Sequence, residues 1–280
     1  MKKILLWIRM LRPQTLPASL CPVAIGLLAV PLHAPSVAAI TLLCALSLQI
    51  LSNLINDYYD FVRGADQAGR AGFKRGLAEG EVSVGQLLVA IAMVLLVAVG
   101  TGAFLVGQGG WPILLIGLSA LIFAWLYTAT RFSLSYLGIA DLFVFTYYGV
   151  VASTGTAYLQ TGHFSATAFF SGGVCGLLSM CVLMINNLRD IQSDAVVGKL
   201  TLPVRFGKTA GETMMFVCIL LTPIFSFLAY GLNLSMLIVI PALYVFWRVL
   251  RAEGKAYNKC LAMMGLANIV YVLLVLCVPT

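Results

Sequence analysis

The chain has 280 residues, 61% of them hydrophobic and only 10% charged, with a formal net charge of +7 and a mean hydropathy of +1.01. A soluble domain carries roughly 25% charged and about 45–50% apolar residues, so this composition excludes a water-soluble globular fold and puts the chain in a bilayer. The surplus of bases does not point to nucleic acid, because they fall beside apolar runs, where the insertion rule and anionic headgroups account for them.

The opening "KKILLWIRMLR" is basic and amphipathic, and is expected to lie along the inner interface rather than to act as a cleavable signal. Nine apolar runs follow, near residues 15–32, 37–55, 84–106, 112–129, 136–159, 165–185, 212–230, 234–250 and 260–278. Each is close to the roughly 17–25 residues that a spanning helix needs, and too long and too uniformly apolar for barrel strands. The expected fold is an all-α integral membrane protein with nine transmembrane helices.

Orientation follows from the bases. Lys2, Lys3, Arg9 and Arg12 precede the first span, while Arg63, Arg70, Lys74 and Arg75 lie between the second and third, and Arg131 between the fourth and fifth. Arg189, Lys199, Arg205 and Lys208 lie between the sixth and seventh, and Arg248, Arg251, Lys255 and Lys259 between the eighth and ninth. With nine crossings all seventeen fall on one side, which the positive-inside rule makes cytoplasmic, with the N-terminus inside.

Two cytoplasmic loops, roughly residues 57–83 and 190–211, hold or border eight of the ten acids, so function is expected on that face. The loops echo each other. The first reads Asn53, Asn56, Asp57, Asp60 and the second Asn186, Asn187, Asp190, Asp194, offset by 133 or 134 residues. Four spans separate the copies, as expected for parallel four-helix repeats at about 14–131 and 136–250 with a ninth helix at 260–278, all within one domain covering 1–280.

Positions i, i+3, i+4 and i+7 share a helical face, so Asn53, Asn56, Asp57 and Asp60 form a stripe at the end of the second span. Asn187, Asp190 and Asp194 are expected to form the same stripe on the sixth. Carboxylates converging at a bilayer face repel and need cations, and hard oxygen donors suit Mg²⁺, which takes one or two carboxylates plus substrate phosphate oxygens. The nearby bases Arg63, Arg70, Lys74, Arg75, Arg131, Lys199 and Arg205 fit such a phosphate ligand.

Other residues carry other expectations. Asp141, about a turn inside the fifth span, is either a functional intramembrane acid or the structural partner of Arg131. Tyr58, Tyr59 and Tyr127 border the expected mouth, where a ring face can stabilise a cation. His33 and His163 fall on the outer side, and the seven cysteines show no metal spacing and are expected to pack as small hydrophobes.

"NDYYD" with Asp66 following, the Arg75 of "FKRGLAEGEVS", "YTATR", and "NNLRDIQSDAVVGKLTLPVRFG" together resemble the UbiA superfamily of intramembrane prenyltransferases. "LRPQTLPASLCPVAIG", "NDYYDFVRGAD" and "GIADLFVFTYYGVV" are similar to its 1,4-dihydroxy-2-naphthoate polyprenyltransferase branch, and the resemblance spans nearly the whole chain. It implies a bundle around a central cavity, in a bacterial-type inner membrane with the active site facing the cytoplasm. It implies Mg²⁺, as two ions, and transfer of a polyprenyl group from its diphosphate to 1,4-dihydroxy-2-naphthoate with loss of CO₂, giving demethylmenaquinone for menaquinone biosynthesis.

By motif, the resemblance assigns Asp57, Asp60, Asp66, Asp190 and Asp194 to metal, with Asp57, Asp60, Asp190, Asp194, Arg75 and Tyr127 as catalytic residues. It places Asn53 and Asn56 in the first motif and Arg75, Tyr127, Arg131, Lys199 and Arg205 around the diphosphate; by their position beside the stripes Arg63 and Lys74 are expected to join Asn53, Asn56 and these bases in binding it, and Asp141 and Tyr58 are candidates for the aromatic acceptor. One departure is the six-residue gap from Asp60 to Asp66, where several family members have four. Another acceptor on the same fold, such as 4-hydroxybenzoate or a tetrapyrrole, remains open, as does a secondary transporter. Oligomeric state and prenyl length are not written in these motifs.

Overall fold

The computed structural model describes residues 2–64, 76–77, 79–126 and 138–278. Asp66, Arg70, Lys74, Arg75, Tyr127 and Arg131 therefore lie outside the described residues. The described chain is helical, with no strand: α1 (Lys2–Met10), α2 (Pro17–Leu28), α3 (Pro35–Val62), α4 (Val84–Leu126), α5 (Ala140–Thr161), α6 (Ala166–Arg189), α7 (Ile191–Val196), α8 (Leu202–Phe206), α9 (Lys208–Tyr230), α10 (Leu234–Val249) and α11 (Ala256–Leu276). Six of these, α3, α4, α5, α6, α9 and α11, are long and apolar enough to cross a membrane, and α2 and α10 are shorter apolar helices. The protein is a membrane protein.

The predicted span at 84–106 and the described part of the one at 112–129, as far as Leu126, are one 43-residue element, α4, with no open loop between them. Its two arms meet at Gly110, whose φ of 67° and ψ of −153° are far from helical, with Pro112 starting the second arm. A residue without Cβ turns the chain there and a residue without N–H begins the next helix, so no loop is needed. Leu105 from one arm and Ile113 from the other then pack together with Val37 of α3.

Close packing is concentrated around α6. A Cβ on Gly149 of α5 would stand 2.6 Å from the Gly176 Cα of α6, and one on Gly176 would stand 2.6 Å from the Phe145 carbonyl oxygen. Ser153 of α5 donates to the Ala168 carbonyl oxygen across the same seam at 2.8 Å. Small residues that let backbones touch, with a hydroxyl bridging them, are a packing device that works in lipid, where no hydrophobic force draws helices together. On the other faces of α6, Leu178, Met184 and Ile185 join α9 and α11 in the largest core cluster, which includes Cys21, Cys175, Cys181, Cys218 and Cys260. These thiols pack among apolar neighbours, as expected.

Candidate active site

α3 runs past its apolar stretch to Val62 and so carries the first polar stripe as regular helix. Asp57 and Asp60 are 2% and 3% exposed. Burial at that depth demands partners, because an unpaired buried carboxylate is strongly destabilising. Asp57 receives the Arg12 guanidinium. Arg12 adopts a left-handed backbone (φ 52°, ψ 65°), and is the one non-glycine residue with positive φ among those described. That conformation costs about 1–2 kcal/mol for an L-residue. It lets the chain turn sharply between α1 and α2, with the Arg12 carbonyl receiving the Thr15 amide at 2.8 Å.

The second stripe departs from the expectation. α6 ends at Arg189, Asp190 leaves helical geometry (φ −102°, ψ 12°), and Asp194 lies on the separate short helix α7. Arg189 grips both oxygens of Asp190, Nε to Oδ1 at 2.8 Å and Nη2 to Oδ2 at 2.7 Å. Adjacent residues do not face one another on a regular helix, so this fork requires the break. The guanidinium also donates to Asn186 Oδ1 at 2.6 Å and to Asn258 Oδ1 on α11 at 2.7 Å. Asp190 is thereby fastened to the last helix, and it and Asp194 are both buried.

The two motifs meet through Lys199. Its Nζ donates to Asp60 Oδ1 at 3.1 Å, and its backbone amide donates to the Asp194 carbonyl oxygen at 2.9 Å. One residue thus links the tip of α3 to the segment after α6, which brings the two acidic regions to the same end of the bundle. Gly138, with φ +72°, presses against the Leu200 carbonyl oxygen, and a Cβ there would stand 3.4 Å from Arg205 Nε. Arg205 is exposed beside the start of α5.

Other candidates take these places. Asn53 is buried and gives its amide hydrogens to the Leu11 carbonyl oxygen and Thr15 Oγ1, both at 3.2 Å, while Asn56 is half-buried. Arg63 lies 5.9 Å from the ring centroid of Tyr59, which meets Trp125 of α4 edge-on at 5.9 Å. Tyr58 packs against the cluster of Met10, Leu54 and Leu87. Asp141 is buried, and its Oδ1 has no hydrogen-bond partner among the described residues.

Behind the stripe on α3 lies a cavity of about 480 Å³, walled by α2, α3, both arms of α4, and α5. From Ser52 to Thr41 on α3 it follows the helix for about 16 Å at 1.5 Å per residue. Its wall is mostly aliphatic and aromatic, with Phe123, Phe143, Tyr147 and Tyr148 among the lining residues. Thr146–Val151, which supplies both tyrosines, is a π-helical turn inside α5, a distortion frequent at functional sites.

Sequence reasoning did not single out Arg12 or Arg189 as carboxylate partners, nor Gln49 in the cavity wall. Gln49 had a legible signal, since Gln49, Asn53 and Asp57 are spaced by four along one face. Arg12 had none, because its partner lies 45 residues away.

Residues 19–272 match the UbiA prenyltransferase family. The 1,4-dihydroxy-2-naphthoate octaprenyltransferase of Haemophilus influenzae is 34% identical over 232 residues, 79% of this chain and 75% of that one. The enzyme of the same name from Escherichia coli is 35% identical over 211 residues, 72% and 68% of the two chains. Among solved structures, a UbiA homolog from Archaeoglobus fulgidus bound to GPP and Mg²⁺ shares the fold with a TM-score of 0.71 at 19% identity, over 97% of this chain and 98% of that one. The same homolog bound to DMAPP and Mg²⁺ gives 0.70 at 18% identity, over 98% of each chain. The family match takes in the end of α3 and the segment after α6 that Lys199 joins, with the cavity lined by the preceding turns of α3, and the chain belongs to the UbiA prenyltransferase family.

Proposed function

We propose that this polyprenyltransferase moves a polyprenyl group from its diphosphate to 1,4-dihydroxy-2-naphthoate with loss of CO₂, in a bacterial inner membrane and with the active site on the cytoplasmic face. The observation that carries the reading is the junction of two buried acidic motifs through Lys199 and Asp60, at the end of the helix whose preceding turns, from Thr41 to Ser52, line an apolar cavity. The identity to enzymes named for this naphthoate supports the acceptor. The nine-crossing topology with a cytoplasmic N-terminus belongs to the same proposal and rests on the placement of the seventeen bases.

Asp57, Asp60, Asp190 and Asp194 are the residues that would hold Mg²⁺. Their chemistry fits: the donors are hard carboxylate oxygens, buried, with no His or Cys in the set. Among the described residues no three acidic, His or Cys side chains gather around one point; Mg²⁺ commonly takes one or two carboxylates and fills its remaining positions with phosphate oxygens and water. Two ions, one per motif, accord with that. When bound, the metal supplies charge neutralisation for the departing diphosphate.

The chain's own residues do the rest. Lys199 and Arg12, already among the carboxylates, stand where they can add positive charge beside the leaving group. The allylic C–O bond breaks with its electron pair going to diphosphate, the carboxylated ring carbon bonds to the prenyl carbon, and loss of CO₂ restores the aromatic ring. The product is the hydroquinone form of demethylmenaquinone, so no redox cofactor enters. The apolar wall holds the isoprenoid chain and keeps water from capturing the electrophilic carbon. Tyr59 meets Trp125 edge-on, next in sequence to Ala124 of the cavity wall.

Purified protein supplied with labelled polyprenyl diphosphate, Mg²⁺ and either 1,4-dihydroxy-2-naphthoate or 4-hydroxybenzoate tests this, with products weighed by mass spectrometry. Transfer to the naphthoate with loss of 44 mass units as CO₂, abolished by EDTA and restored by Mg²⁺, is expected. Transfer to hydroxybenzoate alone would overturn the acceptor.

A further inference from the structure

Gln49 sits one helical turn below Asn53 on α3, is 6% exposed and borders the cavity. Its neighbours fix which way its amide faces. Thr15 Oγ1 gives its only hydrogen to the Arg12 carbonyl oxygen at 2.9 Å. Asn53 Nδ2 spends both hydrogens on the Leu11 carbonyl oxygen and on Thr15 Oγ1. Gln49 Nε2 then donates to Thr15 Oγ1 at 3.2 Å and to Asn53 Oδ1 at 3.4 Å. Turning the amide over would set its oxygen against two oxygens that have no hydrogen left to give. The carbonyl is left facing away from this chain of bonds, and Oε1 is buried with no hydrogen-bond partner among the described residues.

A buried carbonyl without a donor is costly, and such atoms in native proteins call for an explanation. We propose that Gln49 Oε1 accepts a hydrogen bond from a ring hydroxyl of the aromatic acceptor and so holds that ring in the cavity beneath the acidic motifs. This rests on the reaction assigned above. Of the two substrates only the aromatic one can serve: an ionised diphosphate offers acceptors alone, and an isoprenoid chain has no polar hydrogen. The position agrees, because Gln49 continues the face of Asn53 and Asp57, about 12 Å from Asp57 along the axis at 1.5 Å per residue. The acceptor thus lies on the apolar side of the diphosphate.

The test is binding, read apart from turnover. Dissociation constants for 1,4-dihydroxy-2-naphthoate and for 2-naphthoate, the same ring and carboxylate without hydroxyls, are measured by quenching of intrinsic tryptophan fluorescence in detergent. Wild-type protein and Gln49→Met are compared, with Gln49→Leu in reserve should the first variant not fold. A wild-type preference for the dihydroxy ligand of about tenfold or more, falling to within about twofold in the variant while prenyl diphosphate affinity holds, is the expected result. A purely packing role would weaken both naphthoates alike and leave their ratio unchanged, and that outcome overturns the proposal, as does a wild type that binds the two equally. A Gln49-dependent preference in a protein that fails to prenylate the naphthoate would sink the assigned reaction while leaving this contact standing.

Discussion

Glycines do opposite work in α4 and α6. In α6, Gly172, Gly173 and Gly176 are pressed against Ser153, Phe225 and Phe145, and a Cβ at any of them would collide. In α4, Gly102 and Gly117 line the cavity and a Cβ at either would meet nothing within 4 Å. Burial follows the same division: 72% of the most apolar stretch of α6 is inside the protein, against 17% for α4. The same residue brings backbones together in one region and leaves room in the other. The comparison teaches that α6 is the post on which the second acidic motif is held, while α4 is the outer wall of an open cavity, the one the proposed reaction assigns to substrate.

The comparison can be broken at five positions. The largest effect is expected at the junction of the motifs, where Asp60→Asn should lower turnover by about 10³-fold, the scale on which loss of a charge-stabilising group acts. A labelled-transfer assay at saturating substrate reads this, and unchanged turnover at limiting Mg²⁺ would refute the metal assignment. Next is Arg189→Met on the rigid side. It leaves Asp190 buried without its fork, and should cost about 3–5 kcal/mol, seen as a lowered midpoint of thermal unfolding in detergent.

A smaller loss, about 1–3 kcal/mol, is expected for Gly176→Ala, whose new methyl meets the Phe145 carbonyl oxygen. Gly102→Ala and Gly117→Ala should be neutral or stabilising by up to about 1 kcal/mol, since alanine favours helix over glycine and the added methyl has space. If Gly117→Ala proved as harmful to the unfolding midpoint as Gly176→Ala, the contrast between the two helices would be wrong.

Much of the candidate site was legible because its signals are local. Polar residues recurring at helical spacing in "SNLINDYYD" announce a buried stripe whatever surrounds them, and the same holds for Asn186 to Asp190. Asp194 was legible as a member of the second motif but not as a residue beyond a helix break, because the break goes with a fork between Arg189 and its own neighbour that helical spacing does not announce. Gln49 was within reach, as the next turn of the first stripe, but an amide inside an apolar run reads as incidental until its hydrogens are counted.

By itself, the order of residues determined that the chain lives in a bilayer, where its hydrophobic stretches run, and which two segments carry the acids. These properties depend on composition and on spacing within a single helix, so they survive without knowledge of any neighbour. Only the tertiary structure decided that Lys199 reaches Asp60 across 139 positions, that Arg12 answers Asp57, and that one bundle is solid around α6 and hollow beside α4. Which cation meets which carboxylate, and whether a glycine becomes a contact or a gap, is settled by the helix that packs opposite it.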